Sequence, residues 1–242
     1  MKTDELDVNG IKHLVKIHFE NRRNCRVSIR KKAINIRIPS FLNKDEKIKQ
    51  LKRMKTWAER KIMENPEKFK PEPQKEYKNG DVLKIDKEKY TLLITFRDKK
   101  TSSALLHDNT IQLFISDNRP IEEQNNHIST LISRCVGSKR LPKLQNKIKE
   151  LNKDHFNQKI NKIFFKNNKT NWGSCSSKGN INISTRLLFA PDDVLEYVCI
   201  HELAHLLEHN HSKKFWMLVE KAMPDFKEKE RWLKENGEIC RF

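Results

Sequence analysis

Polar and apolar residues alternate in short stretches along the first half of the chain. Val15-Ile17-Phe19, Cys25 to Ile29 and Ile34-Ile36-Ile38 each put every second residue on one face, the pattern of a half-buried strand, and Pro39 closes the run. Asp45 to Met63 changes to a helical period, and Pro66, Pro71 and Pro73 mark a linker. Val82-Leu83-Ile85, Tyr90 to Phe96 and Thr110 to Ile115 then read as a second set of strands. Pro120 to Gln158 reads as helix interrupted at Gly137 and Pro142, because glycine weakens a helix interior and proline removes a backbone donor. Lys162 to Phe165 and the alternating Asn180-Ile181-Asn182-Ile183-Ser184 are the last expected strands. Pro191 suits a first helical turn, Asp192 and Asp193 bring the charge a helix N-terminus favours, and Val194, Leu195, Val198, Leu203 and Leu206 supply its apolar faces. No internal repeat or low-complexity tract is visible. The expectation is an α+β protein, with a β-rich region over residues 1–118 (strands about 15–38 and 82–115, helix about 45–63) and a second domain over 119–242.

Composition sharpens this picture in two respects. The net charge is +18, and it is uneven: residues 1–100 carry 28 Lys and Arg against 15 Asp and Glu, net +13, whereas 191–242 carry 8 against 11, net −3. A basic N-terminal half attracts nucleic acid, nucleotides or acidic partners at long range, although a Lys- and Asn-rich bias on a solvated surface produces the same charge. No zinc finger, RNP aromatic motif or Gly-rich phosphate loop accompanies it. There is no run of eighteen apolar residues and the first residues are acidic, so a soluble, non-secreted protein without membrane contact is expected. Cys25, Cys135, Cys175, Cys199 and Cys240 are odd in number and contain no Cys-x-x-Cys, which fits a reduced, cytoplasmic location and neither a disulfide framework nor a structural zinc site.

The chemistry concentrates between Tyr197 and His211, where four histidines surround His201-Glu202-Leu203-Ala204-His205. Residues four apart on a helix share a face, so two imidazoles can point at one ion, and Glu202 beside them can act as general base on a water held by a metal. A catalytic zinc takes three protein ligands and leaves a fourth position to water. His209 lies eight residues beyond His201, roughly 12 Å along a continuous helix. With Zn–N bonds of about 2.1 Å the two could not share an ion there. A helix ending near His209-Asn210 lets the chain turn back, so His211 is the expected third ligand. Ser212 is a plausible N-cap for a following helix whose Phe215 and Trp216 brace the loop carrying His211. His13, His18, His107, His127 and His155 have no ligand-like spacing.

Upstream lies Lys169-Thr170-Asn171-Trp172-Gly173-Ser174-Cys175-Ser176, a turn or bulge before the strand at 180–184. Trp172-Gly173-Ser174-Cys175, the strand, Tyr197-Val198-x-x-His201-Glu202-Leu203-x-His205 and Asn210-His211-Ser212-x-x-Phe215-Trp216 occur in that order. Together they resemble the YgjP-like family of predicted zinc metallopeptidases, closely over about 160–235 and more loosely over the whole chain. The resemblance implies a zincin-like core in which a small sheet covers the metal helix, one zinc on His201, His205 and His211, and Glu202 as base. Asn171 and Ser184 depart from the family pattern, which often has a basic residue and an Asn there. The spacing from His205 to His211 also matches metzincins, but Glu208 stands where they have Gly.

The expected activity is zinc-dependent hydrolysis of a peptide or protein substrate, with the peptide bond itself supplied by the resemblance. The same water and glutamate would serve a hydrolase of an anionic small molecule such as a nucleotide, or a nucleic-acid-associated protease of the WLM or SprT type. Trp172, Ser174 and Tyr197 are candidate substrate contacts. The simpler readings are a core aromatic for Trp172, a packed helix residue for Tyr197 and a small buried thiol for Cys175.

Overall fold

A computed structural model describes residues 2–30, 33–69, 75–118, 120–168 and 170–242, so Pro71 and Pro73 of the expected linker and Lys169 lie outside the described residues. The chain forms two compact units, Met1–Gln74 and Lys75–Phe242. The boundary placed at 118/119 from the sequence falls inside the second unit. No described helix is long and apolar enough to cross a membrane.

In the first unit, β1 (Lys2–Val8) and β2 (Ile11–Glu20) form a hairpin whose two loop residues, Asn9 and Gly10, both have positive φ, as a tight turn matching strand twist requires. β3 (Arg26–Arg30) and β4 (Ala33–Pro39) complete a sheet of order β1-β2-β4-β3, with β2 and β4 parallel. Helix α1 (Lys44–Glu64) starts at a capping box between Asn43 and Glu46, worth about 1 kcal/mol, and the short α2 (Pro66–Phe69) follows. Ala58 and Ile62 of α1 close over Val15, Ile17, Ile34, Ile36 and Ile38, which the strand period aims at one face. The other face of the sheet carries the polar half of each alternation. β1 escaped the sequence reading because its acidic residues hide any apolar period.

The second unit opens with β5 (Val82–Ile85), β6 (Glu88–Arg97), β7 (Ser103–His107) and β8 (Thr110–Ser116), again in the order β5-β6-β8-β7 with the middle pair parallel. Its cross-strand pairs are those of the first sheet with 77 added to every number: Val8↔Ile11 becomes Ile85↔Glu88, Val15↔Ile34 becomes Leu92↔Ile111, and Ile29↔Ile34 becomes Leu106↔Ile111. The helix after each sheet obeys the same offset, since α3 (Ile121–His155) begins 77 residues after Lys44. The chain therefore does contain an internal repeat. It is invisible in residue identities, which coincide at only seven positions between 2–43 and 79–120, because a strand register needs only the alternation to persist.

Helix α3 runs without a break through Gly137 and Pro142, contrary to the expected interruptions. Its first half buries Ile128, Ile132 and Val136 against the β5–β8 sheet, and its second half buries Leu144, Ile148 and Leu151 in the core around the histidine helix. Burying side chains of this size contributes about 1.5–3 kcal/mol each, which offsets the roughly 3 kcal/mol that an interior proline costs. Gly137 is a contact point, because a β-carbon there would meet Thr185 Cγ2 at 3.1 Å and Phe165 Cβ at 3.4 Å. α3 thus ties the second sheet to the downstream core and explains why the unit boundary lies at Gln74.

That core contains β9 (Lys162–Lys166), β10 (Gly173–Cys175) and β11 (Asn180–Ser184) in the order β10-β11-β9, so β10 has a free edge. A 3-10 turn (Thr185–Phe189) leads to α4 (Asp192–Ala204), followed by α5 (Lys213–Ala222) and α6 (Phe226–Asn236). Ile181 and Ile183 of β11 pack with Val198, Ile200 and Leu203 of α4, so the small sheet covers the histidine helix as expected.

Candidate metal centre

α4 starts after Pro191 with Asp192 and Asp193 in its first turn and ends at Ala204, a full turn before the His209-Asn210 stop expected from the sequence. His205 is the C-cap, still in the right-handed helical region, and Leu206 N–H and Leu207 N–H bond back to the carbonyls of Leu203 and Ala204 in a tight final turn. His201 and His205 therefore keep the one-turn relation, while the chain reverses early enough to return His211. The Ser212 hydroxyl caps α5 by accepting from Phe215 N–H at 3.2 Å, as the sequence suggested.

Ligand nitrogens of His201, His205 and His211 all lie within 4.8 Å of one another, and the Nε2 atoms of His201 and His211 are 3.0 Å apart. Three nitrogens on one tetrahedral zinc, each about 2.1 Å from it, would be spaced by roughly 3.4 Å, inside this range. Among the described residues this is the one group of three or more His, Cys, Asp or Glu able to share an ion. His209 lines the same cleft without joining the cluster. His205 Nδ1 lies 3.0 Å from the Glu208 carbonyl, which fixes the proton on Nδ1 and leaves Nε2 a lone pair for an ion. Burial first, then the other two histidines, hold the His201 imidazole down to about 3, so it is neutral and ready to ligate at neutral pH. Phe215, fully buried, lies beneath all three rings with centroids at 4.8, 4.5 and 4.8 Å, so the brace read from the sequence is a shared floor.

Glu202 is 5 % exposed, and burial pushes its carboxyl up to about 8. Its Oε2 has no hydrogen-bond partner among the described residues. The carboxylate lies against Gly173: a β-carbon at that position would stand 2.6 Å from Glu202 Oε1 and 2.7 Å from its Cγ. Only glycine lets β10 approach α4 this closely. The sequence presents Gly173 as a turn former, and nothing local reveals that its role is to leave room for a side chain 29 residues away. Gly173→Ala is expected to displace Glu202 and lower any activity that depends on it at least tenfold while the three histidines still take up metal. Metal content measured beside turnover checks this, and unchanged turnover would remove the contact from the site.

The cleft that holds these groups is about 600 Å³ in volume and is lined also by Trp172, Ser174, Cys175, Tyr197, Leu233 and Lys234. Trp172 is both wall and core: its ring packs on the surrounding apolar cluster, with the Arg186 guanidinium 4.0 Å above its centroid. Arg186 Nε in turn donates to the Cys240 carbonyl at 2.8 Å, so the Trp172 wall is anchored to the segment after α6, a link that the sequence does not signal. The Ser174 hydroxyl is taken by the Asn182 amide, which is itself tied to Asn168 at 2.8 Å. Ser184, one of the departures from the family pattern, is fully buried and bonds Trp172 carbonyl through its N–H at 2.7 Å, while Asn171 donates to the Gly173 carbonyl at 2.7 Å. Tyr197 is 4 % exposed, with a phenol that burial raises to about 12, and its ring faces His201 at 6.0 Å. Cys175 shares the Glu202 side of β10, where burial and then the nearby carboxylate push its thiol up to about 11.

Backbone bonds fix which groups of β10 face outward. Ser184 N–H to Trp172 carbonyl and Ser176 N–H to Asn180 carbonyl make residues 172, 174 and 176 the inward-bonded positions. The N–H groups of Gly173 and Cys175, and the Cys175 carbonyl, therefore point to the free edge beside the cleft.

No curated protein shows significant similarity to the chain. Among solved structures, the metallopeptidase zymogen of Pyrococcus abyssi abylysin is similar at 27% identity and a TM-score of 0.36, covering 38% of this chain and 94% of that one. The metallopeptidase zymogen of Methanocaldococcus jannaschii jannalysin is similar at 21% identity and a TM-score of 0.34, covering 38% and 93%. Residues 23–236, which span the β3–β4 hairpin, the whole second sheet and the histidine cleft, match the YgjP-like metallopeptidase domain, and the chain belongs to that family of metallopeptidases.

Proposed function

We propose that the protein is a zinc-dependent peptidase in which His201, His205 and His211 hold one zinc per chain and Glu202 is the general base. The observation that carries this reading is the convergence of three imidazole nitrogens within 4.8 Å beside a buried carboxylate whose Oε2 has no partner among the described residues. Zinc in that position would lower the pKa of a coordinated water to about 7 and polarise a substrate carbonyl. Glu202 accepts the proton of the attacking water and delivers it to the leaving amine. Gly173 and Cys175 pair the substrate backbone as an added antiparallel strand, with the three outward groups of β10 setting its register. Trp172 and Tyr197 form the walls against which its side chains rest, and Tyr197, held protonated, offers a donor to a substrate oxygen. Ser174 contributes through the strand, since its hydroxyl is engaged by Asn182.

The test is a turnover screen of zinc-loaded protein, with Glu202→Gln as its control, against casein and unstructured peptides, nucleoside triphosphates, and protein bound to DNA. Cleavage of free peptides that disappears in the control supports the proposal. Nucleotide turnover alone would replace it by hydrolysis of an anionic small molecule, and cleavage only with DNA present would replace it by a nucleic-acid-dependent protease.

A further inference from the structure

The two sheets related by the 77-residue offset provide an internal comparison that bears on the chain's charge. Residues 8–43 contain nine Lys and Arg and one acidic residue, Glu20, whereas the equivalent residues 85–120 contain six Lys and Arg against five Asp and Glu. A general Lys-rich bias would charge both copies alike. Part of the difference lies on the face of the first sheet opposite α1, where Lys16, Arg26, Arg30 and Arg37 occupy the positions that Leu93, Ser103, His107 and Phe114 occupy in the second, while Glu20 stands where the second has Arg97. The scaffold therefore does not require cations there.

Their arrangement opposes folding rather than serving it. Arg26 is directly opposite Arg37 in the β3–β4 ladder, so like charges neighbour each other across strands about 4.8 Å apart, and His18 is opposite Arg37 in the β2–β4 ladder. Arg26, Arg30 and Arg37 are exposed, and Lys16 is half-buried. Glu20 lies 3.6 Å from Arg22 and 3.8 Å from Arg37 and offsets one of these charges. Glu5 and Asp7 stand on β1, at the far edge of the sheet.

We propose that this open face of the first sheet binds the phosphate backbone of a double-stranded nucleic acid. Three of the four cations are arginines, whose planar fork matches phosphate oxygens. A single strand would need aromatic side chains on which to stack its bases. Among the described residues the face has no Phe, Tyr or Trp: its other members include Leu14, the half-buried His18, Ser28 and Asn35, and Phe19 belongs to the opposite side, beneath Lys47. A duplex keeps its bases stacked and offers phosphates, which suits a cationic surface without a stacking platform. Such binding carries little sequence preference.

The experiment is fluorescence anisotropy of the full chain with a labelled 20-base-pair duplex across salt concentrations. Four phosphate contacts give a log–log slope of roughly −3.6, or about 150-fold weaker binding between 50 and 200 mM salt. Lys16→Gln, Arg26→Gln, Arg30→Gln and Arg37→Gln combined should bind at least tenfold more weakly and flatten that slope by about three to four. A comparison variant removes the same charge from the exposed face of α1 (Lys44→Gln, Lys49→Gln, Lys52→Gln, Arg60→Gln) and should stay within about threefold of wild type, as expected for screened charges away from the contact. Equal loss in both variants would reduce the effect to net charge and overturn the proposal. Tighter binding to the matching single strand, to polyglutamate or to phosphatidylserine vesicles would overturn it as well. Removing cross-strand repulsion does not threaten folding, and the single variant Arg26→Ser, which copies the residue of the second sheet, repeats the test with one change.

Discussion

Replacing Glu202 by glutamine is expected to lower peptide cleavage by about 10²–10⁴-fold while zinc content stays at about one per chain. Glutamine has the same shape, so it fits the space against Gly173 and does not disturb the neighbouring histidines. It cannot accept a proton. The substitution also removes a buried carboxyl whose Oε2 has no partner among the described residues, and the cost of desolvating such a group opposes folding. Thermal stability of the variant should therefore equal or exceed that of wild type. Loss of activity together with loss of stability would indicate that Glu202 serves structure, and retained activity would remove it as the base.

His211→Ala should abolish zinc retention, whereas His209→Ala should keep about one zinc per chain. The two residues are neighbours in sequence and both border the cleft, yet only His211 has its Nε2 3.0 Å from that of His201. A site reduced from three ligands to two loses more than the 10–100-fold that disturbing an outer-shell partner costs. Zinc at 1,000 times its Kd stabilises a binding-competent fold by about 4.1 kcal/mol. For a unit of this size that corresponds to a Tm rise of roughly 8–16 °C, which wild type and His209→Ala should show and His211→Ala should not. The reverse pattern would exchange the two histidines in the ligand set.

Much of the site was legible because its geometry is local. The interval between His201 and His205 is one helical turn, Ser212 caps the next helix, and Phe215 follows at the first turn, so all three follow from intrachain spacing. The helix end was placed too late, since the tight final turn at Leu206 and Leu207 leaves no residue signature. Gly173 against Glu202, Asn182 against Ser174 and Arg186 over Trp172 are tertiary approaches, and a single sequence holds no trace of them. In the fold, strands with clean alternation were recovered, and β1, β7 and the short β10, read as a turn, were not, because charged or small residues blur their period. Gly137 and Pro142 looked like breaks on propensity alone. Packing on two cores at once keeps α3 whole, and it also joins the β5–β8 sheet to the core around the histidine helix.

The shared register of the two sheets also bears on how the chain reaches this structure. Leu6, Ile17, Ile34 and Ile38 have Leu83, Ile94, Ile111 and Ile115 at the matching positions, so the apolar faces alone cannot tell a strand of one copy from its counterpart. During folding, β6 could dock beside β4 in place of β2, a mispairing of the kind to which tandem units are prone. The open faces differ at this point: the true β2–β4 pair sets Lys16 beside Asn35, whereas the exchanged pair would set Leu93 there. An exchanged hairpin would therefore leave an apolar side chain on the solvent side as the mark of the wrong pairing.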